Sequence, residues 1–280
     1  MKISYVLSGG GAKGSFQVGV MKKLHEQGIV PDAIYGTSVG ALNAFGYAYA
    51  GMSGLEQHWL DIVGPKWYSP WTPSSDVLSF NWSILLLGWA DGIYNTKPLK
   101  KYLENLAITS PICEAIAVKA NLNSGIVEYV SNKNVPVSDF TEAVRASGSI
   151  PGMMSPVGDW VDGGVRKFVP LEKAITDGAD KIYVILTCPL TQNALDSYDT
   201  SSQFPLFKFF NIAYRAIDGV MEQEIFTTNA EDCFNNDSNI PIEVYAPLVV
   251  PCTTFDFNPA KIRANIEMGY NAQVIEKLPV

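Results

Sequence analysis

Residues 33–44, Ala-Ile-Tyr-Gly-Thr-Ser-Val-Gly-Ala-Leu-Asn-Ala, constrain the fold of this 280-residue chain more than any other stretch. Gly36-Thr37-Ser38-Val39-Gly40 follows a short apolar run and opens a helical segment of small residues, the setting in which G-x-S-x-G forms a nucleophile elbow. A serine on so sharp a strand-to-helix turn needs neighbours without bulk, because the backbone is strained and the hydroxyl must project into a cleft. Gly36 and Gly40 meet that need, which makes Ser38 the candidate nucleophile.

The elbow sits in an alternating pattern. Residues 3–7 read as a buried strand, and Ser8-Gly9-Gly10-Gly11-Ala12-Lys13-Gly14 carries the chain into a helix over 15–27, where Phe16, Val20, Met21 and Leu24 recur at helical spacing. Gly28 ends that helix, and a strand over 33–35 leads into the elbow. Strand, glycine loop, helix, strand, elbow, helix predicts an α/β fold with a mainly parallel central sheet flanked by helices. Helices are also expected over 46–66, carrying His58, and over 98–106. A hairpin joins 116–122 to 126–130 through Asn123-Ser124-Gly125, and Ser138 caps a helix ending at Ser147. Strands over 181–186 and 242–248 and a closing helix over 259–278 complete the pattern, with 187–202 as an exposed polar excursion. No repeat, low-complexity tract or linker interrupts it, so 1–280 reads as a single domain.

Two stretches keep two readings each. Residues 67–93 are aromatic, poor in charge and contain Ile84-Leu85-Leu86-Leu87, which suits a short core helix or a lid around a lipid site. The helix expected over 204–221 places Phe207, Phe210, Tyr214, Ile217 and Met221 on one side, a core or partner-facing stripe by default and a lipid-contacting one otherwise.

Composition narrows the function classes. A 47% hydrophobic content supports a substantial core, while a net charge of -8 without a basic stripe argues against a nucleic-acid surface. Cys113, Cys188, Cys233 and Cys252 are widely spaced in apolar surroundings and read as reduced, packed thiols. The first residues lack the apolar region and cleavage site of a secretory signal, so a cytoplasmic protein is expected. No apolar run approaches the about 18 residues of a membrane span, which leaves peripheral contact as the only membrane association. Neither a metal-ligand cluster, a calcium loop nor a cofactor requirement is apparent, and oligomeric state is not written in the chain.

The glycine loop admits more than one mechanism. Gly9-x-Gly11-x-x-Gly14 satisfies the letters of the dinucleotide fingerprint, but the acid that should hold a ribose is misplaced, since Asp32 precedes the second strand. A phosphate-binding loop fails because Ser15 follows Gly14 where lysine is required. Consecutive glycines at a helix start fit a third role better: exposed backbone N–H groups that stabilise an oxyanion.

A serine nucleophile needs a proton acceptor, and histidine is the usual one. The two histidines, His25 and His58, lie within helices in ordinary surface-helix surroundings, without the glycine-flanked loop of a triad histidine. Attention passes to Asp162, which ends a short strand and is followed by Gly163-Gly164, a tight turn able to aim its carboxylate at a site.

Together these residues resemble the patatin-like phospholipase family, whose pattern combines G-G-G-x-[KR]-G, G-x-S-x-G and a distal D-G-[GA]. Here those are Gly9 through Gly14, Gly36 through Gly40, and Asp162-Gly163-Gly164, and Ala146-Ser147-Gly148-Ser149-Ile150-Pro151 resembles the family's small-residue segment ahead of the aspartate. The resemblance spans most of 1–175. It implies a three-layer fold related to the α/β hydrolases and a Ser38–Asp162 dyad hydrolysing acyl esters of phospholipids or lysophospholipids through an acyl-enzyme. The N–H groups of Gly10, Gly11 and Ala12 would form the oxyanion hole. Lys13 reads either as a contact for a lipid phosphate or as a solvated lysine at a helix start. A catalytically silent lipid-binding module and a dinucleotide-binding domain are the competing readings.

Overall fold

The computed structural model describes residues 1–61, 79–80, 92–190, 234 and 239–276. The expectations for 62–66, 67–78, 81–91, 191–202, 204–221 and 277–278, and for Cys233, lie outside the described residues.

Five parallel strands make the centre of the sheet: β1 (Ile3–Leu7), β2 (Ala33–Thr37), β5 (Glu114–Asn121), β9 (Lys181–Ile185) and β10 (Ile242–Tyr245). Their order is β10-β9-β1-β2-β5, continued by the antiparallel β6 (Val127–Ser131), while β8 (Trp160–Asp162) also pairs antiparallel with β5. A smaller sheet joins β3 (Ser79–Phe80), β4 (Gly92–Asn95) and β7 (Gly152–Met154). The apolar runs of the central strands follow from burial on both faces. Tyr5, Leu7, Tyr183 and Ile185 enter one core, and the alternate residues Val6, Ile182, Val184 and Val244 enter another. The first core is closed by α1 (Gly14–Glu26), α2 (Val39–Asp61), α4 (Val137–Ser147) and α6 (Pro259–Tyr270), and the second by α5 (Leu171–Thr176). The α/β architecture is as expected: a mostly parallel sheet between helical layers.

Several boundaries differ, each for a local reason. The helix expected over 46–66 is the second half of α2, which begins directly after the elbow and breaks at Gly51 (φ 70°, ψ -177°). The break folds the helix back on itself, so that a side chain at Gly46 would collide with Leu55 and the Trp59 indole Nε1–H donates to Asn43 Oδ1 at 2.7 Å. Helix α3 (Lys97–Leu106) lies where 98–106 was expected. Ser138 is not the cap of α4: the chain enters that helix through Pro136, and the Ser138 hydroxyl falls in the first turn, donating to Asp139 Oδ1. Residues 187–190 are not an exposed excursion, because Thr187, Cys188 and Leu190 are buried beneath the glycine loop and the second core. The closing helix stops at Tyr270 and β10 at Tyr245. Cys113, Cys188 and Cys252 are free thiols, and burial pushes Cys113 up to about 12 and Cys252 to about 11.

Two polar side chains tie the layers together in front of the sheet. The Gln17 amide donates to the Ser8 and Ile185 carbonyls at 2.9 and 3.1 Å, and Asn43 Nδ2 donates to the Gly14 carbonyl and Gln17 Oε1 at 3.0 and 2.9 Å. Helices α1 and α6 meet backbone to backbone, since a Cβ at Gly269 would overlap the Phe16 carbonyl and one at Gly19 the Ile266 carbonyl. Gly269→Ala is therefore expected to lower folding stability by about 1–3 kcal/mol or more through overpacking, measured by urea unfolding. A loss within 0.5 kcal/mol or so, the scale of an inconsequential surface change, would show that the helices can move apart.

Candidate active site

The site forms where β2 and β8 run into one another. On one edge of β5, β2 pairs as far as Thr37 opposite Val118, and β8, running the other way, ends at the next position, with Asp162 opposite Lys119. The opposite edge of β5 is filled by β6 over the same residues. The chain leaving β2 and the chain leaving β8 therefore turn out of the sheet side by side, which brings Ser38 and Asp162 together. Gly163 makes this turn directly over the Val118 carbonyl, where a Cβ would approach to 2.5 Å.

Ser38 adopts φ 55°, a left-handed backbone uncommon for a residue with a side chain and costly by about 1–2 kcal/mol. The conformation is held by the Ser38 N–H donating to Ser147 Oγ at 2.9 Å and by the start of α2, where the Ala41 N–H reaches the Ser38 carbonyl at 3.0 Å. The flanking glycines are sterically required. A Cβ on Gly36 would overlap the Gly40 backbone, and one on Gly40 would stand 2.5 Å from the Leu7 carbonyl.

Asp162 is fully buried. Its Oδ1 accepts the Gly164 N–H at 2.7 Å, while Oδ2 has no hydrogen-bond partner. Burial pushes the carboxyl up to about 7, against the pull of the Ser38 hydroxyl and the Gly164 amide towards the ionised form. The hydroxyl thus lies close enough to favour the carboxylate without closing a full hydrogen bond to Oδ2.

The glycine loop crosses the same edge of the sheet. Gly10 (φ 139°) and Gly11 (φ 57°) occupy backbone conformations that side chains rarely adopt, and Thr187 and Thr254 fill the space where a Cβ would stand. Gly9 packs on the Phe168 ring and Gly14 on Val39. The Gly9 N–H donates to the Phe168 carbonyl at 3.3 Å, and the N–H groups of Gly10 and Gly11 are not spent on any described residue. Ala12 differs from expectation: its N–H donates to the Thr254 carbonyl at 2.7 Å and is not open to a ligand. Lys13 is buried, with Nζ 3.6 Å from Cys188 Sγ, which rules out the solvated lysine.

Ser38 and Gly11 open on a cavity of about 140 Å³ walled by α2, α3 and the segment 254–257, including Leu42, Phe45, Leu103 and Phe257. The histidines divide. His25 is exposed and meets the Tyr47 hydroxyl at 3.0 Å. His58 is not on an ordinary surface helix: the reversal at Gly51 turns it onto the cavity wall, its Nδ1 2.7 Å from the Tyr102 hydroxyl, where burial lowers its pKa. Gly51-Met52-Ser53-Gly54, two breakers inside a helical pattern, is the sequence signal of that reversal. Thr254 had no comparable signal. Asp32 lies at the far end of β2, accepting the Ile3 N–H at 2.7 Å. Among the described residues no group of three His, Cys, Asp or Glu side chains could hold a metal ion, and no helix is long and apolar enough to cross a membrane.

Comparison with known proteins gives a family match: the model of the patatin-like phospholipases fits residues 5–175, more than half of the chain. The chain is similar to lysophospholipase nte1 of Aspergillus terreus, 28% identical over 209 residues that cover 71% of this chain and 13% of that protein. It is also similar to patatin-like phospholipase domain-containing protein 7 of Rattus norvegicus, 27% identical over 248 residues covering 82% of this chain and 17% of the relative. The chain thus spans less than a fifth of the length of these relatives. Among solved structures, VipD from Legionella pneumophila aligns with a TM-score of 0.49 and 14% identity over 96% of this chain and 65% of that one.

The buried carboxyl gives stability a definite pH dependence. Folding raises the Asp162 pKa from 3.8 to about 7, so between these values the folded protein holds a proton that the unfolded chain releases, and stability falls as pH rises. Asp162→Asn removes that cost. Its melting temperature should exceed the wild type's at about pH 8, and the gain should vanish towards about pH 4. A difference constant across the range would contradict a desolvated carboxyl.

Proposed function

The chain belongs to the patatin-like phospholipase family, and on that premise we propose that it is a serine lipid acyl hydrolase working through Ser38 and Asp162 on acyl esters of phospholipids or lysophospholipids. The observation that carries the reading is the pairing of Ser38, in a left-handed turn, with a buried carboxylate whose Oδ2 is unspent, at the mouth of an apolar cavity. The names of the relatives, lysophospholipase among them, support the substrate class.

The chemistry follows from the groups present. Asp162 Oδ2 accepts the Ser38 proton as Oγ attacks the ester carbonyl, and the negative charge on the carbonyl oxygen is met by the N–H groups of Gly10 and Gly11. Ala12 joins them only when the Thr254 carbonyl lets go of its N–H. Collapse of the tetrahedral intermediate breaks the ester bond, and Asp162 returns its proton to the departing alcohol. Water, deprotonated by the same carboxylate, then attacks the acyl-enzyme and releases the fatty acid, with the proton passing back to Ser38. A pKa near 7 suits a group that must both take and give a proton at neutral pH. The competing dinucleotide reading finds no support in Asp32, whose carboxylate is occupied at the wrong end of β2.

Ser38→Ala and Asp162→Asn should each lower hydrolysis of a short-chain nitrophenyl ester and of a lysophospholipid by about 10³-fold or more. A fluorophosphonate should label the wild type and leave Ser38→Ala unlabelled. Undiminished hydrolysis in either variant would overturn the dyad, and a folded wild type inert to ester and fluorophosphonate would point to the silent lipid-binding module.

A further inference from the structure

Thr187 and Ser8 form a chain of hydrogen bonds behind the glycine loop. The Thr187 N–H donates to Ser8 Oγ at 3.0 Å, the Ser8 hydroxyl donates to Thr187 Oγ1 at 3.3 Å, and the Thr187 hydroxyl donates to the Gly9 carbonyl. Both side chains are fully buried, and in this arrangement each hydroxyl uses its one proton once. Ser8 Oγ also stands 3.2 Å from the Gly9 carbonyl. The pair thus fixes the direction of that carbonyl as well as satisfying it.

Fixing the Gly9 carbonyl also fixes the Gly10 N–H. The peptide between them is planar and trans, so the two groups point to opposite sides. Thr187 follows β9 and lies on one flank of the loop, against the Gly9 carbonyl and the space a Gly10 Cβ would fill. In the sheet, β1 stands between β9 and β2. The other flank is therefore the side of β2, where Phe168 packs on Gly9 and the Lys167 carbonyl accepts from Thr37 Oγ1 at 2.9 Å. Ser38 is the next residue. Both ends of the loop are seated against the elbow, since a Cβ on Gly40 would meet the Ser8 carbonyl at 2.8 Å and one on Gly14 would meet Val39. The Gly10 N–H accordingly points to the Ser38 side of the loop, and no described residue accepts it.

We propose that Thr187 is a positioning residue: its hydroxyl, oriented by Ser8, turns the Gly9–Gly10 peptide so that the Gly10 N–H faces the oxygen on which charge develops. The proposal rests on the acyl hydrolase reading for the identity of that oxygen. Thr187 is not among the described residues that line the cavity and acts through the peptide alone. Without its hydroxyl the peptide is free to rotate, because neither flanking glycine restrains the backbone with a side chain. A donor turned out of line makes a weak hydrogen bond. The transition state, where the charge on the oxygen is largest, then loses more than the bound ester does.

The test replaces Thr187 in the full chain and follows hydrolysis of a short-chain nitrophenyl ester. Thr187→Val keeps the shape and removes the hydroxyl, so kcat should fall about tenfold or more with KM little changed, and Thr187→Ser should recover most of the loss. Ser8→Ala leaves the Thr187 hydroxyl without its orienting partner; it should lower kcat by a smaller factor and carries the same test if Thr187→Val does not fold. A clamp that served stability alone would lower the melting temperature and leave kcat per folded molecule unchanged. That result overturns the proposal and leaves the hydrolase reading standing, as does a loss that Thr187→Ser fails to recover. If the wild type turns over no ester, the Gly10 amide decides. In ¹⁵N-labelled protein its resonance should shift on addition of octanoate, whose carboxylate offers an anionic oxygen, in the wild type and Thr187→Ser but not in Thr187→Val. That pattern upholds the aiming of the donor and overturns the hydrolase reading alone. A Gly10 amide that ignores octanoate in the wild type, or answers equally in Thr187→Val, overturns the proposal.

Discussion

On one edge of β5 two strands meet head to head, β2 ending opposite Val118 and β8 opposite Lys119, and most of what is distinctive about this chain follows from that junction. Hydrogen bonding to β5 sets the register of both strands, so residues distant in sequence are brought together by the sheet itself, without help from a flexible loop. Ser38 is the first residue past one strand and Asp162 the last of the other. The junction is dry because the sheet is covered on both faces and the glycine loop closes over its edge. A carboxyl enclosed there loses its water and gains only one full hydrogen bond, which is why its proton is held towards neutrality.

The surrounding structure absorbs the costs concentrated at this point. The left-handed turn at Ser38 is paid for by the packing of α2 and by the Ser147 hydroxyl, and the raised Asp162 carboxyl by the extended core behind it. Gln17 and Asn43 link the strand ends, the glycine loop and both halves of α2 through buried hydrogen bonds. Thr254 bears on the glycine loop from another segment. Its carbonyl holds the Ala12 N–H, so in the proposed chemistry the position of Thr254 decides whether that donor can join those of Gly10 and Gly11.

Elements governed by local rules were legible in the sequence. The strand at Ile3–Leu7, the first helix, the hairpin around Asn123-Ser124-Gly125 and the elbow follow from apolar periodicity and from glycines at fixed offsets, and the structure carries each within a few residues. The proximity of Asp162 to Ser38 was inferred from a scarcity of histidines and a glycine-flanked acid, but its cause, the shared edge of β5, is a long-range register that no local pattern encodes. The occupied Ala12 N–H and the buried Lys13 were illegible for the same reason: their partners, Thr254 and Cys188, arrive from strands β10 and β9. His58 was misread because the break at Gly51 turned one expected face of a helix into another.

The proposed chemistry stands on a carboxyl at Asp162 whose proton is retained by burial. Direct titration by ¹³C NMR of aspartate-labelled protein, with Asp162→Asn assigning the resonance, measures this without reference to any substrate. A midpoint near 7 is predicted, and a midpoint in the ordinary aspartate range near 3.8 would contradict the desolvated dyad on which the proposed chemistry depends.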